Sequence, residues 1–255
     1  ITALISAVFG MVSTVALFKR TAKLDDSAPV TDERKKDSVV LRGLAAPIWL
    51  GSMLHLDLSW ADTAMLAAWM DEAAVAHYRA AFRLAALLTF TQFAVNALGA
   101  PTFGALHASG DRAGLRRTVH RIGWMNTAVA LPGLVFLATL GPWLLGFWGD
   151  AFAAPDVYKA LLILAAGQCF NALCGPVMYL LNMTGGERAG LVILAISAAA
   201  QLGAAVFLVP AFGIVGGAAS AALGMLFWNG LGVWYIRRSH GFYMVSLISG
   251  WWKRS

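Results

Sequence analysis

Two arginines lie four residues apart in an otherwise apolar stretch, YRAAFRLAALL. On a helix, Arg79 and Arg83 share one face. A charge at the centre of a bilayer costs about 2.5–3.5 kcal/mol on insertion scales, so such residues usually face a cavity or a partner. The planar guanidinium binds phosphate oxygens in pairs, which makes both arginines candidate phosphate-binding residues. The alternative is that they lie at the membrane interface and contact lipid phosphate.

Polar amides recur inside the apolar runs. Such side chains either line a cavity that accepts a polar substrate such as a sugar, or form hydrogen bonds between helices. Both interpretations remain open at this stage. The candidate substrate-binding amides are Gln92, Asn96, Gln168 and Asn171, with Asn229 as a further cavity-lining candidate.

Carboxylates and histidines form no recognisable catalytic set. His55 and Asp57 are two residues apart and point to different helix faces. Asp57 is the candidate ion-coupling residue, for a proton or a cation, and Asp62 is a further candidate for a charge within the membrane. The chain lacks HExxH, GxSxG and the phosphate-binding GxxxxGK[ST] motif. We therefore expect a protein that is not an enzyme and has no metal or cofactor.

Composition indicates the class of protein. Of the 255 residues, 59% are hydrophobic and 13% are charged, against about 25% charged in soluble domains. The apolar runs are continuous and near the ~20 residues that cross a bilayer as a helix, which excludes alternating barrel strands. The predicted spans are 1–18, 39–60, 80–103, 122–146, 158–181, 189–209 and 214–236.

Basic residues are distributed asymmetrically between the connecting segments. If the seven spans alternate in direction, 16 of the 19 Lys and Arg residues fall on one side. That side is predicted to be cytoplasmic, with the C-terminus on it. Contact with anionic lipid accounts for the net charge of +6 without a nucleic-acid partner.

Three local features refine the expected helices. Pro47 and Pro101 are candidate hinges, because proline removes a backbone donor and kinks a helix. GPVMYLLNMTGGERAG (175–190) predicts a tight turn at Gly185-Gly186 between two antiparallel spans. The segment 62–77 is too polar to span and is expected to lie along the interface as a short helix.

Several stretches, in this order, resemble the second half of Wzx-type oligosaccharide-lipid flippases of the MATE-like (MOP) superfamily. The resemblance covers residues 39–241. The stretches are VAHYRAAFRLAALLTFTQFAVNALGAPTFGALHASGDRAGLRRTVHR (75–121), LLGFWGDAF (144–152), ALLILAAGQCFNALCGPVMYLLNMTGGE (160–187) and VPAFGIVGGAASAALGMLFWNGLGVWYIRRSHG (209–241).

The resemblance implies an all-α polytopic bundle, the six-helix C-terminal lobe of a two-lobed transporter. Residues 1–18 would be the truncated last helix of a missing N-terminal lobe, 19–38 a basic interlobe loop, 39–238 the lobe and 239–255 a cytoplasmic tail. In this family an arginine falls near Arg83. The implied activity is flipping of a polyprenyl-diphosphate-linked oligosaccharide, for surface polysaccharide, across a bacterial inner membrane.

Three rival functions stay open. A MATE-like cation-coupled drug or metabolite exporter shares the fold, but favours cavity carboxylates over arginines. A membrane-embedded enzyme, such as a sugar acyltransferase, would have to rely on His55. A scaffold that merely anchors a complex would not require polar or kinked helix interiors.

Overall fold

The computed structural model describes residues 60–242 and Met244, which belong to one compact unit, Leu54–Ser255. A helical segment, 60–69, precedes five α-helices, and a 3₁₀ turn, Asp150–Ala153, joins the second helix to the third. No strand occurs in the described residues, and the predicted all-α class is confirmed. The helices are α1 (Glu72–Ala108), α2 (Arg112–Gly146), α3 (Pro155–Cys174), α4 (Val177–Met183) and α5 (Glu187–His240).

Four of these helices, α1, α2, α3 and α5, are long and apolar enough to cross a membrane. The predicted spans 80–103 and 122–146 lie within α1 and α2. This confirms the polytopic bundle. The predicted spans 1–18 and 39–60, apart from Trp60, lie outside the described residues, as do the loop 19–38 and most of the tail 239–255.

Helix α5 contains two of the predicted spans. Its backbone leaves the helical region at Gly213, with φ 56° and ψ −129°, between the spans 189–209 and 214–236. A Cβ atom on Gly216 would overlap the backbone carbonyl of Leu208, and one on Gly224 would overlap the side chain of Gln201. The two parts of α5 therefore run antiparallel and in close contact. We call 187–212 the first arm and 214–240 the second arm.

The predicted span 158–181 is also divided. Helix α3 ends at Cys174, and Gly175 has a φ of 80° before Pro176 begins the turn into α4. The next turn agrees with the sequence prediction. Thr184 caps α4, Gly185 has a φ of 78°, and α5 begins at Glu187. Glycine adopts this left-handed conformation without the steric cost that a Cβ brings.

The prediction of a single short helix over 62–77 is wrong, and the location of this segment at the membrane interface stays a prediction. The helical segment 60–69 stops before Met70, and α1 begins at Glu72. Asp71 is the N-cap of α1, and its side chain accepts a hydrogen bond of 2.9 Å from the backbone N–H of Ala74. This cap starts a new helix inside the segment, so that residues 72–77 belong to the same helix as the predicted span 80–103.

The core consists of two large apolar clusters, one toward each end of the bundle. One cluster includes Tyr78, Leu88 and Leu164, and the other includes Phe103 and Ile236. Along each long helix, polar amides occupy the positions between the clusters. The fold therefore places a polar layer between two apolar regions.

The two ends of the bundle differ in charge. The basic end contains the C-termini of α1, α4 and α5 and the beginning of α2. The opposite end contains the beginning of α1, the 3₁₀ turn and Gly213. Of the ten Lys and Arg residues between 60 and 242, seven belong to the basic end: Arg112, Arg116, Arg117, Arg121, Arg188, Arg237 and Arg238.

Candidate functional site

Arg79 is held in place by neutral side chains. Its guanidinium carbon lies 4.3 Å from the centre of the Trp60 ring and 5.2 Å from that of Phe82. Its Nη1 donates a hydrogen bond of 3.3 Å to the hydroxyl of Thr63. Arginine carries five N–H donors, so this arrangement fixes the plane of the group and leaves donors for a ligand.

Asp62 is the nearest buried carboxylate, but other residues bind it. Its side chain is 2% exposed. Tyr78 donates its hydroxyl to Oδ2 at 3.1 Å, and Gln201 of the first arm donates its Nε2 to Oδ1 at 2.5 Å. Among the described residues, Asp62 forms no ion pair with Arg79 within 4 Å. We call Asp62, Tyr78, Arg79 and Gln201 the charged cluster.

Arg83 follows Arg79 by one turn and is exposed. The next residues on the same face are Leu87, which is 63% exposed, and Phe90, which is 80% exposed. The side chains four and seven positions after Arg83 lie on its face of the helix. The two arginines therefore lie on the N-terminal side of an exposed apolar stripe on α1, which includes Leu87 and Phe90.

Three predicted amides hydrogen-bond to one another in the polar layer. Asn171 of α3 donates its Nδ2 to Gln92 Oε1 at 3.2 Å, and Asn229 of the second arm donates its Nδ2 to Asn171 Oδ1 at 3.0 Å. Gln92 also donates to the carbonyl of Leu88 at 3.2 Å. These contacts join three helices, as expected of amides that bind helices together.

A second amide pair completes the layer. Asn126 of α2 donates its Nδ2 to Asn96 Oδ1 at 2.9 Å, one helical turn from Gln92. We call Gln92, Asn96, Asn126, Asn171 and Asn229 the amide layer. Each of the four long helices contributes to it.

The other predicted site residues are separated from these groups or not described. Gln168 is buried on α3, one turn before Asn171. Pro101 lies inside α1, which continues through it to Ala108. Asp57 and Pro47, together with His55, lie outside the described residues. The substrate, hinge and ion-coupling roles of all these residues remain predictions.

Sequence reasoning missed part of the arrangement. Trp60, Thr63 and Gln201 were not candidates for binding arginine or aspartate. Asp62 was named as a charge within the membrane, but its partner Gln201 is 139 positions away in the chain. A sequence contains no spacing signal for such a contact. The pairing of Tyr78 with Asp62, 16 positions apart, depends on the helix start at Glu72.

The sequence of the chain is similar to that of a known protein. The chain is 26% identical over 182 residues to the probable flippase AglR of Haloferax volcanii, an alignment that covers 69% of this chain and 37% of the relative. The chain thus spans little more than a third of that protein's length. No solved structure matches.

A match to a family model assigns the chain to a protein family. The MatE model matches residues 47–209, which include the helical segment 60–69, α1 to α4 and most of the first arm. The match extends over more than half of the chain and agrees with its apolar helices. The protein is therefore a multi-pass membrane protein that belongs to the MatE family.

Proposed function

We propose that the protein is a flippase for a polyprenyl-diphosphate-linked oligosaccharide used in surface polysaccharide biosynthesis. The observation that carries this proposal is the arginine pair at the head of an exposed apolar stripe. A lipid-linked diphosphate has the same two parts, a doubly charged head and an apolar tail. The name of the similar protein, a probable flippase, supports the same class of activity.

The charges near the stripe favour an anionic head. Beyond its first turn, α1 carries Arg79 and Arg83 but no acidic residue. Asp62, the carboxylate beside them, is buried and hydrogen-bonded to neutral donors. Phosphate oxygens would bind the free donors of Arg79 and the exposed guanidinium of Arg83. The amide candidates Gln92, Asn96, Gln168 and Asn171 would then contact the sugar only where a hydrogen-bonding atom remains free.

The charge difference between the two ends of the bundle supports one orientation in the membrane. Positively charged segments next to spans stay on the cytoplasmic side, where anionic lipids also attract them. The arginine pair would then lie toward the outer face of a bacterial inner membrane, and the C-terminus would be cytoplasmic. The phospholipid bilayer and an N-terminal lobe of the same protein would be the partners of this bundle.

Transport would proceed by alternating access. In transporters with two related halves, the substrate binds near the midplane and one half rocks against the other. The amide layer would keep the described helices together during this motion, while Pro47 and Pro101 would act as hinges. Asp57 would couple the motion to an ion.

A cation-coupled exporter of drugs or metabolites is the alternative, and one observation bears on it. A buried carboxylate, Asp62, lies between the helical segment 60–69, α1 and the first arm, where a proton or cation would change the local charge. A cationic substrate, however, would be repelled by the exposed Arg83. The geometry therefore supports an anionic substrate better.

The test is complementation of a strain in which the gene is deleted. We expect polyprenyl-linked oligosaccharide to accumulate on the cytoplasmic face and surface polysaccharide to be lost. Wild-type protein should restore both, and Arg83→Ala should restore neither at equal membrane abundance. Lys159→Ala is the matched control, because Lys159 is an exposed cation toward the same end of the bundle as Arg83 and pairs with Asp156 at 2.9 Å.

Two results would contradict the proposal. Normal sidedness of the oligosaccharide in the deleted strain would exclude the flippase, and loss of resistance to cationic dyes would then indicate the exporter. Equal loss of flipping in Arg83→Ala and Lys159→Ala would show a general effect of charge. It would contradict the phosphate-binding role of Arg83.

A further inference from the structure

A second pair of arginines lies at the basic end, on a face of α2 that the proposed function does not use. Arg117 and Arg121 are four residues apart and both exposed, so they share one side of the helix. The same side continues through Trp124, which is 50% exposed, and Leu131 to Val135, which is 62% exposed. The pair therefore lies at one end of a long exposed apolar stripe on α2.

The position of the stripe matches one leaflet of a bilayer. The predicted span 122–146 begins directly after Arg121, which puts the arginines at the depth of the lipid headgroups. From Arg121 to Val135 the helix rises about 21 Å, and one leaflet contributes about 15 Å of hydrocarbon. Trp124 lies one turn further in, where amphipathic rings meet the boundary between headgroups and acyl chains. A phospholipid beside α2 would contact both the cations and the stripe.

No described carboxylate neutralises this pair. Among the described residues, the only ion pair joins Lys159 to Asp156, toward the other end of the bundle. At the basic end, Asp111 caps α2 by accepting from the backbone N–H of Gly114 at 2.8 Å, and Glu187 is buried. An anionic phosphodiester would complement the arginines, whereas the ammonium group of a zwitterionic lipid would find no carboxylate partner among these residues.

The pair differs from the arginines of α1. Arg79 is half-buried, and Trp60 and Thr63 hold its guanidinium in place. Arg117 and Arg121 are exposed and form no ion pair with any described residue. Exposed cations of this kind suit a headgroup that exchanges with the surrounding bilayer, rather than a substrate that is held during transport.

We propose that Arg117 and Arg121 form a binding site for an anionic phospholipid. Their guanidinium groups bind its phosphate, and its acyl chains lie along Trp124 and the stripe beyond it. Arginine binds phosphate oxygens in pairs, and an anionic leaflet attracts cations next to a span. General attraction acts on every cation of the basic end, but this site depends on one face of one helix. Only the assignment to the cytoplasmic leaflet rests on the proposed orientation.

Arg112 and Arg116 provide a matched control on the same helix. They are also exposed and four residues apart. Their face continues to Val119, which is buried, so no exposed apolar stripe follows them. Removal of either pair takes the same charge from the same end of the bundle, and only the loss of Arg117 and Arg121 should remove the site.

The experiment is native mass spectrometry of the purified protein in detergent, titrated with phosphatidylglycerol or with phosphatidylcholine of the same acyl chains. We expect the wild-type protein to bind the first phosphatidylglycerol about tenfold or more tightly than the first phosphatidylcholine. Arg117→Ala/Arg121→Ala should lose this preference, and Arg112→Ala/Arg116→Ala should keep it. Equal binding of the two lipids by the wild-type protein, or equal loss in the two double variants, would overturn the proposal.

Polyprenyl diphosphate separates this site from the proposed transport site. Added at the same concentration as phosphatidylglycerol, it should leave the phosphatidylglycerol bound. Its displacement of the phospholipid would assign the site to the transport substrate and overturn the proposal. Normal sidedness of the oligosaccharide in the deleted strain would contradict the flippase but not this site, because lipid binding is measured without transport.

Crosslinking of the wild-type protein keeps the proposal testable if Arg117→Ala/Arg121→Ala does not fold. The probe is phosphatidylglycerol with a photoreactive diazirine in one acyl chain, present as a minor component of phosphatidylcholine vesicles that contain the protein. Peptides of α2 that include Trp124 and Leu131 should be labelled most strongly. Labelling spread evenly over the exposed faces of α1, α2 and α5 would contradict the proposal.

Discussion

The charged cluster and the amide layer are both sets of buried or half-buried polar side chains that link distant helices, but their chemistry differs. In the amide layer, three amide groups donate to amide oxygens of neighbouring helices, and two oxygens of the described residues, Asn126 Oδ1 and Asn229 Oδ1, are buried without a hydrogen-bond partner. In the charged cluster, Asp62 is bound by neutral donors, while the neighbouring Arg79 keeps free donors beside an exposed surface. The difference suggests that the layer holds the bundle together and that the arginine is available for a ligand.

Between the charged cluster and the amide layer, the largest effect is expected at Arg79. Arg79→Ala removes charge-assisted hydrogen bonds to phosphate. Each such bond contributes about 1.5–3 kcal/mol to substrate binding, so the rate of flipping should fall about 10- to 100-fold. Thermal unfolding should change little, because the partners of Arg79 are Thr63 and two exposed or half-buried rings. The measurement is the rate of flipping per inserted molecule. Arg79→Lys, which keeps the charge but not the planar fork, should be intermediate.

Substitution of Asp62 tests whether its hydrogen bonds with Tyr78 and Gln201 stabilise the fold. Asp62→Leu leaves the Tyr78 hydroxyl buried without its acceptor, at a cost of about 1–3 kcal/mol, and removes the acceptor Oδ1 from the Gln201 amide. Thermal unfolding in detergent should therefore occur at a clearly lower temperature. Asp62→Asn keeps an acceptor and should be milder. If Asp62→Leu were as stable as the wild-type protein, these hydrogen bonds would not hold the cluster.

Gly224 tests the packing between the arms beside the charged cluster. In Gly224→Ala, the new Cβ would displace the Gln201 side chain, and overpacking of this kind costs about 1–3 kcal/mol. Gly203 and Gly230 are controls on the same two arms, since a Cβ there meets nothing within 4 Å. Alanine at either control should be neutral or slightly stabilising. Equal unfolding temperatures for all three variants would contradict the close packing of the arms.

The smallest effect is expected in the amide layer. Interhelical hydrogen bonds in membranes average about 0.6 kcal/mol, so Asn171→Ala, which loses two, should destabilise by about 1 kcal/mol. Flipping per folded molecule should be retained. A loss of flipping as large as that of Arg79→Ala, without a loss of stability, would give Asn171 a role in substrate binding and remove the distinction drawn above.

The sequence predicted the helices better than it predicted their partners. Continuous apolar runs gave the class and the positions of five spans, and Gly185 marked a turn that the structure contains. The break at Gly175 within 158–181 was missed, because hydropathy does not respond to a single left-handed residue. The helix start at Asp71 was missed because the polarity of 62–77 was interpreted as a location at the interface.

The candidate site was predictable only in part. Arg79 and Arg83 stood out because charge is rare in an apolar run. The role of Gln92 and Asn171 could not be decided from sequence, since an amide that lines a cavity and one that joins helices have the same hydropathy. Their contact joins positions 79 residues apart, and only the packing of α1 against α3 reveals it.

The antiparallel arms of α5 have an evolutionary consequence. Since Gly213 alone reverses the chain, no loop is present to absorb an insertion or deletion. Removing one residue between Gln201 and Gly224 would rotate everything after it by about 100°, turning the glycines of the second arm away from the first. Among homologous genes, changes of length should therefore be absent from this stretch and collect in places such as 147–154, where the chain between α2 and α3 is exposed or half-buried.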